Sequence, residues 1–354
     1  MQFGSFWYFQ DRGQPVTQTY DECLAEIELT EELGFDEVWL AEHHLSGYGT
    51  LPSPNLILAN LAARTRRVRL GNMINTLPFY LPLRLAEEIA MLDHLTHGRL
   101  NVGIGSGVMR EFGRYGVPVE EAKARFYETV EVLLKAFTQE RFDHQGQFFH
   151  YTDAALVPRP LQQPYPPLFV AATSPDTIRW SAEHGLQIAQ MWNPLADSQR
   201  GIATYRELTR NGAANGRASA RVFRAVYVAE TTERALAEAE RPLYRFFQLW
   251  SGTTDPQYAE PSPEGWRHVT GTALRRFGGP REYADLAAEE LILFGDPALV
   301  REKLGRLQQT LGLDGFTGIF AFGQLSHERV CRSLRLFAEE VLPAFRPAPA
   351  AAPG

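Results

Sequence analysis

Short β-rich runs alternate with amphipathic helical stretches along nearly the whole chain, and this alternation limits the fold more than any other feature. Eight strand candidates can be placed, at 2–8, 36–41, 67–72, 99–104, 168–172, 186–191, 221–229 and 314–322. The segments between them carry helix punctuation. In YDECLAEIELTEELG, Cys23, Leu24, Ile27 and Leu33 form an apolar side, and Gly34 stands where a C-terminal stop belongs. GDPALVREKLGRLQQTLG repeats the plan, with Asp296 as cap, Pro297 in the first turn and Gly312 at the end. Eight βα units joined by crossovers of one hand wrap a sheet onto itself, which predicts an α/β protein of the (β/α)8 TIM-barrel type. A doubly wound open sheet satisfies the same alternation and is the alternative.

Two stretches interrupt the repeat. Residues 141–167 hold several prolines and aromatics and read as an extension packed on the barrel. Residues 251–280 combine turn residues with Tyr258, Trp266 and Phe277, the composition of a lid over a site or of an inert surface excursion. Nothing else suggests a second domain, so 1–346 is expected to be one barrel with insertions, and the Pro/Ala-rich 347–354 a disordered tail.

Charge and cysteines narrow the setting. With 42 acidic against 35 basic residues the formal charge is -7, which argues against nucleic acid or an anionic membrane as the main partner. Cys23 and Cys331 have no metal or redox spacing and read as buried thiols of a reducing compartment, which fits the cytoplasm. The opening MQFGSFWYF reads as a strand rather than a leader, and no run of 18 apolar residues is present.

Barrel sites gather at the C-terminal ends of the strands. The second strand ends in Glu42-His43-His44. Consecutive side chains on a strand point to opposite sides, so adjacent histidines do not readily grip one ion, and no metal is expected. A hydrogen-bonded structural pair is one reading of these residues and acid/base chemistry the other, since an imidazole titrates near neutrality. The third strand leads through Asn72-Met73-Ile74-Asn75 into a proline-bounded aromatic loop, an uncharged surface suited to a flat ligand. The fourth ends in Gly103, Gly105 and Gly107, which would allow a ligand close to the backbone but lack the dinucleotide-binding spacing. In VAATSPDT, a strand passes through Thr173 and Ser174 into a helix opened by Pro175, leaving N–H groups and the hydroxyls of Thr173, Ser174 and Thr177 about one point. That start is either an anion site or an ordinary cap. Trp192 follows the sixth strand; it and Trp7, Phe9 and Tyr80 suggest an apolar substrate or simple packing.

The chain resembles the bacterial luciferase-like flavin monooxygenases, on MQFGSFW, GFDEVWLAEHH, EEIAMLDHLTHGRLNVGIGSG, VAATSPDT and GDPALVREKL, which together run along nearly its whole length in the family's order. The resemblance implies a barrel that binds FMN at its mouth. His43 is similar in position to the family's catalytic histidine, with His44 beside it and Glu42 in support. Ala172, Thr173, Ser174 and Thr177 match the stretch that holds the FMN phosphate. Met73-Ile74 falls where relatives have a non-prolyl cis peptide beneath the flavin, and Trp192 matches a cavity tryptophan. Gly105 and Ser106 also fall at the flavin, but there the sequence departs from the pattern: Gly105 replaces a reactive cysteine, Ser106 a phosphate-binding arginine and Thr173 a glutamate. Arg110 or Arg125 would then have to supply the missing charge, and light emission is not implied.

The activity implied is a two-component monooxygenase. Reduced FMN from a separate NAD(P)H:flavin reductase, and oxygen, would act on a small, largely apolar aldehyde, ketone or aromatic metabolite. A homodimer through 55–65 and 82–96 is also implied. A deazaflavin-dependent oxidoreductase on the same barrel, a metal-dependent hydrolase and a non-enzymatic flavin-binding protein are the alternatives.

Overall fold

Nine strands form one sheet, in chain order β1 (Gln2–Trp7), β2 (Glu37–Leu40), β3 (Arg69–Thr76), β4 (Leu100–Gly105), β7 (Leu168–Ala171), β8 (Gln187–Met191), β9 (Ala220–Val228), β10 (Ile292–Gly295) and β11 (Gly315–Ile319). A hairpin of β5 (Phe142–Gln145) and β6 (His150–Ala154) stands apart. These come from a computed structural model that describes residues 1–210 and 218–346; the tail expected at 347–354 lies outside the described residues. Strands β1, β2, β3, β4, β7, β8, β9 and β11 pair in parallel in that order, and β11 returns to β1. The sheet is therefore a closed eight-stranded TIM barrel, and the open-sheet alternative is excluded.

Helices lie between the strands: α1 (Val16–Glu32), α2 (Pro54–Arg64), α3 (Pro82–Leu95), α4 (Met109–Phe112), α5 (Ala122–Thr138), α6 (Pro175–Glu183), α7 (Leu195–Thr209), α8 (Thr232–Ser251), α9 (Pro263–Ala273), α10 (Tyr283–Ala288), α11 (Pro297–Leu311) and α12 (His327–Leu336). Their ends follow the local chemistry. Asp296 accepts from the Leu299 N–H at the start of α11, and Gly312 closes it in the left-handed conformation with φ 57°.

The eight expected strands are present, with the last shorter than expected. The ninth, β10, was not expected. Its run of four residues is too short for periodicity to separate strand from buried helix, and it is a strand because it pairs with Ala225–Val228 of β9, along which β11 reaches only as far as Ala225.

The barrel is filled below its mouth. Trp39, wholly buried, spans the centre, and a Cβ on Gly71 would come within 2.8 Å of its ring. Beneath it Glu37 accepts from Trp39 Nε1 at 3.0 Å, from Asn101 Nδ2 at 3.2 Å and from the Arg221 guanidinium. A buried carboxylate met by this many donors is compensated, so the floor is a satisfied polar plug and not a second site.

The 141–167 stretch makes hydrogen bonds to the ends of α3 and α5. Arg159 donates to Phe137 O and Gln139 O at the end of α5, and Gln162 bonds Asp93 on α3 through its N–H and its amide, both at 2.7 Å. Within 251–280, α9 buries Trp266 and Val269, and the turn that follows carries Arg276 and Phe277 to the barrel mouth. Among the described residues no helix is long and apolar enough to cross a membrane. Cys23 is buried and Cys331 half-buried; burial raises their thiols to about 12 and about 11.

Candidate active site

A cavity of about 380 Å³ opens at the C-terminal ends of the strands. Its wall includes Glu42, His43, Met73, Ile74, Gly105, Ser106, Thr173, Ser174, Thr177 and Trp192, so residues expected from five separate segments converge on one space. Two expected residues stay outside the wall. Ala172 is fully buried, with its N–H donating to Ala189 O at 3.1 Å, and Ala171 lines the cavity in its place. His44 lies behind the wall, where Nε2 meets Glu42 at 3.0 Å.

That contact corrects the expected partnership. Glu42 does not support His43. Alternation along the chain puts Glu42 and His44 on one side, and His43 turns the other way to Glu111 on α4, with Nδ1 3.2 Å from Oε1. Glu111 is 1% exposed. A carboxylate only accepts, so Nδ1 of His43 carries a proton and, in the neutral ring, Nε2 is left as an acceptor.

Aromatic rings enclose this histidine. Tyr8 lies parallel to it, with centroids 5.8 Å apart, and Tyr48 packs at 4.4 Å. Tyr48 stacks in turn on Trp250 at the end of α8, and both line the cavity. Burial pushes the Tyr8 phenol up to about 12, so it is un-ionised at neutral pH. Trp7 and Phe9, expected as possible substrate contacts, belong to the core, because the β1 parity that turns Phe6 and Tyr8 inward turns them away.

The glycines of β4 make room for β3, and Gly105 also lines the cavity. The Met73–Ile74 peptide is cis, and the β3–β4 register shifts between Asn72 and Asn75. A Cβ on Gly103 would lie 2.2 Å from Asn72 O, and one on Gly105 would lie 2.4 Å from Ile74 Cδ1.

At the opposite wall, Ser174 caps α6. Its Oγ accepts from the Thr177 N–H at 3.3 Å and lies 2.9 Å from Thr177 Oγ1. Two cations line the same cavity, Lys123 of α5 and Arg276. Neither arginine expected here takes that place. Arg110 donates to Leu249 O and Trp250 O and covers the Tyr48 ring, and Arg125 pairs with Glu121. Arg276 has no hydrogen bond or ion pair to another described residue, only the ring of Phe277 at 5.8 Å.

These surroundings fit a flavin mononucleotide. Met73, Ile74, Gly105, Val170 and Ala189 offer apolar or backbone surface to a flat ring. The helix start with its hydroxyls and the two cations offers donors to a phosphate. The Trp192 Nε1 donor is buried and without a partner among the described residues. Among those residues no group of three or more His, Cys, Asp or Glu side chains could hold a metal ion.

Fold and cavity together define a barrel protein with a ligand site at the strand C-termini. The chain belongs to the luciferase-like monooxygenase family, whose model matches residues 1–314. It is 26% identical to the flavin-dependent trigonelline monooxygenase, oxygenase component, of Acinetobacter baylyi, with 98% of this chain and 96% of that protein covered. It is 33% identical to the 4-hydroxyprotoasukamycin monooxygenase of Streptomyces nodosus subsp. asukaensis, covering 90% and 86%. The crystal structure of monooxygenase RslO1 from Streptomyces bottropensis matches with a TM-score of 0.85 at 28% identity, covering 98% of this chain and 100% of that one. Against two further curated relatives, 38% and 37% identical, the chain spans only about half their length, 55% and 54%.

Proposed function

We propose that this chain is the oxygenase component of a two-component monooxygenase. Reduced FMN from a separate NAD(P)H:flavin reductase, and oxygen, are its co-substrates, and one oxygen atom enters a small, largely apolar organic compound such as an aldehyde, ketone or aromatic metabolite. The reading rests on one observation: a single cavity joins the hydroxyl-bearing start of α6, with Lys123 and Arg276 on the same lining, to an imidazole with a free nitrogen, through apolar walls. The names of full-length relatives, a flavin-dependent oxygenase component among them, support the same class.

Bound reduced flavin supplies the electrons that split oxygen, one atom going to product and the other leaving as water. The chain's own residues do the rest. Ser174, Thr177, Lys123 and Arg276 would hold the phosphate, and Met73, Ile74 and Gly105 would flank the ring. Tyr8, Tyr48 and Trp250 keep water from His43, whose Nε2 takes or returns a proton at the reacting group. The 274–278 turn would act as part of a cover, since Arg276 and Phe277 sit at the opening.

The test is anaerobic titration with reduced FMN and with a reduced deazaflavin, followed by air and a panel of aldehydes, ketones and aromatic compounds. A mass increment of one oxygen is expected with FMN. Tight binding of the deazaflavin alone, with hydride transfer and no oxygen uptake, would replace this reading by a deazaflavin-dependent one.

A cytoplasmic homodimer completes the proposal. Leu56, Leu81, Met91 and Leu95, on or beside α2 and α3, are 50–72% exposed, an apolar surface that a second copy would cover. Sedimentation at micromolar concentration should give twice the chain mass, and a Leu81→Glu, Leu95→Glu chain should sediment as a monomer. A monomeric parent chain would remove this part.

A further inference from the structure

Glu26, Glu37 and Glu42 are buried carboxylates whose two oxygens both accept hydrogen bonds. Glu26 meets Arg12 and His327, Glu37 meets Trp39, Asn101 and Arg221, and Glu42 meets His44, Thr76 and Tyr80. Glu111, equally buried, is different. Its Oε1 meets Nδ1 of His43 at 3.2 Å, and no described residue donates to its Oε2. Arg110, its neighbour in the chain, turns its guanidinium to Leu249 O and Trp250 O instead. The Oε2 of Glu290 is also without a partner, but it is sealed in the interior; that of Glu111 is not sealed, and Glu111 lines the cavity.

A carboxylate oxygen withdrawn from bulk water and left bare is costly unless a donor reaches it. The neighbouring surface indicates what kind of molecule brings one. The Tyr48 ring lies 4.4 Å from the His43 imidazole and Trp250 stacks on Tyr48 at 5.7 Å, and all three line the cavity with Glu111. This part of the wall therefore joins two hydrogen-bond acceptors, His43 Nε2 and Glu111 Oε2, to aromatic rings.

We propose that Glu111 binds the substrate directly, with Oε2 accepting from an O–H or N–H group carried on an aromatic ring. The proposal rests on the functional reading above and narrows its substrate class to phenols and aromatic amines. Aldehydes and ketones that carry no donor would leave Oε2 bare. Charge sharpens the selection, because a hydrogen bond to a carboxylate is about twice as strong as one between neutral groups. Glu111 then acts through both oxygens: Oε1 determines which His43 nitrogen meets the cavity, and Oε2 holds the donor group of the substrate.

The experiment measures binding of 2-naphthol, which donates, and 2-naphthaldehyde, which only accepts, to the full chain by equilibrium dialysis, with and without oxidised FMN. In the parent chain naphthol should bind the tighter of the two, and a parent that prefers naphthaldehyde, or binds neither, overturns the proposal without any variant. Glu111→Gln can keep the bond to Nδ1 through its carbonyl oxygen while presenting an NH2 donor where Oε2 stood. The ratio of naphthol to naphthaldehyde affinity should fall by about tenfold or more from parent to variant. If Glu111 only holds His43, or if Oε2 meets water alone, the ratio is the same in both chains and the proposal is overturned. A variant that binds FMN more weakly at an unchanged ratio assigns Oε2 to the flavin, which overturns it equally. If the parent chain consumes no oxygen with reduced FMN, the functional reading fails, while the affinity ratio, measured without turnover, still decides what Oε2 binds.

Discussion

Nδ1 of His43 lies 3.2 Å from Oε1 of Glu111, 68 positions further along the chain, and this contact decides which imidazole nitrogen the cavity meets. With Nδ1–H committed to the carboxylate, Nε2 is the atom available for proton transfer. His43→Ala should lower turnover by about 10²–10⁴ with FMN binding retained. Glu111→Gln keeps a group that can bond Nδ1 but removes the charge that stabilises a protonated ring, so it should also lower turnover, by a smaller factor. Steady-state rates beside flavin titrations check both, and full activity in a folded His43→Ala chain would remove His43 from the mechanism.

The contact between β3 and β4 makes a different kind of prediction, about stability. A methyl group at 105 would meet the end of the Ile74 side chain, which can rotate, whereas one at 103 would meet the backbone carbonyl of Asn72, which cannot. Gly105→Ala should cost about 1–3 kcal/mol, the usual range for overpacking, and Gly103→Ala more. Urea denaturation of the two variants gives the order directly; equal stability in both would show that β3 yields more readily than its packing implies.

How much of this was legible beforehand follows from the range of each interaction. The strand–helix alternation and the cap at Asp296 are local, and they led to the barrel. The glutamate beside the histidines was legible in principle too: Glu42 and His44 are two residues apart, so strand parity pairs them with each other and leaves His43 to look elsewhere. The same parity separates Phe6 and Tyr8, which line the cavity, from Trp7 and Phe9, which fill core. Glu111, Tyr48, Trp250 and Arg276 carried no local mark. Each reaches the site from a loop or helix end whose position depends on the closed barrel, and no spacing in the sequence encodes that distance.

Arg276 illustrates the point and can be tested alone. It lines the cavity, has no acidic partner among the described residues, and stands where the wall also holds Thr173, Ser174 and Thr177. Arg276→Ala should therefore leave thermal stability nearly unchanged while weakening FMN, by about tenfold, the scale of one charge-assisted contact to phosphate. Riboflavin, which lacks the phosphate, should bind parent and variant alike. Ser174→Ala should show the same preference and in addition lose about 1 kcal/mol of stability, because it also caps α6. Equal losses for FMN and riboflavin would place the phosphate elsewhere.

A last prediction concerns stability against pH, far from the cavity. His327 Nδ1 lies 3.0 Å from Oε1 of Glu26, whose carboxylate is buried and also accepts from Arg12. The hydrogen bond to Glu26 raises the His327 imidazole above its ordinary value, with partial burial and Arg12 opposing. The folded state thus holds this proton more tightly than the unfolded chain, where the ring titrates near ~6.5. Its stabilisation is complete below that value and is lost as pH rises through the higher folded value, so unfolding free energy should fall with rising pH above neutrality. The side chain is 39% exposed, which screens the pair and keeps the contribution small. Denaturation curves of the parent chain and of His327→Gln, taken at intervals between pH 6 and 8.5, isolate it from the other titrating groups. The parent should lose more stability across that range than the variant, and parallel profiles would show that the Glu26 contact does not bind the proton selectively in the folded state.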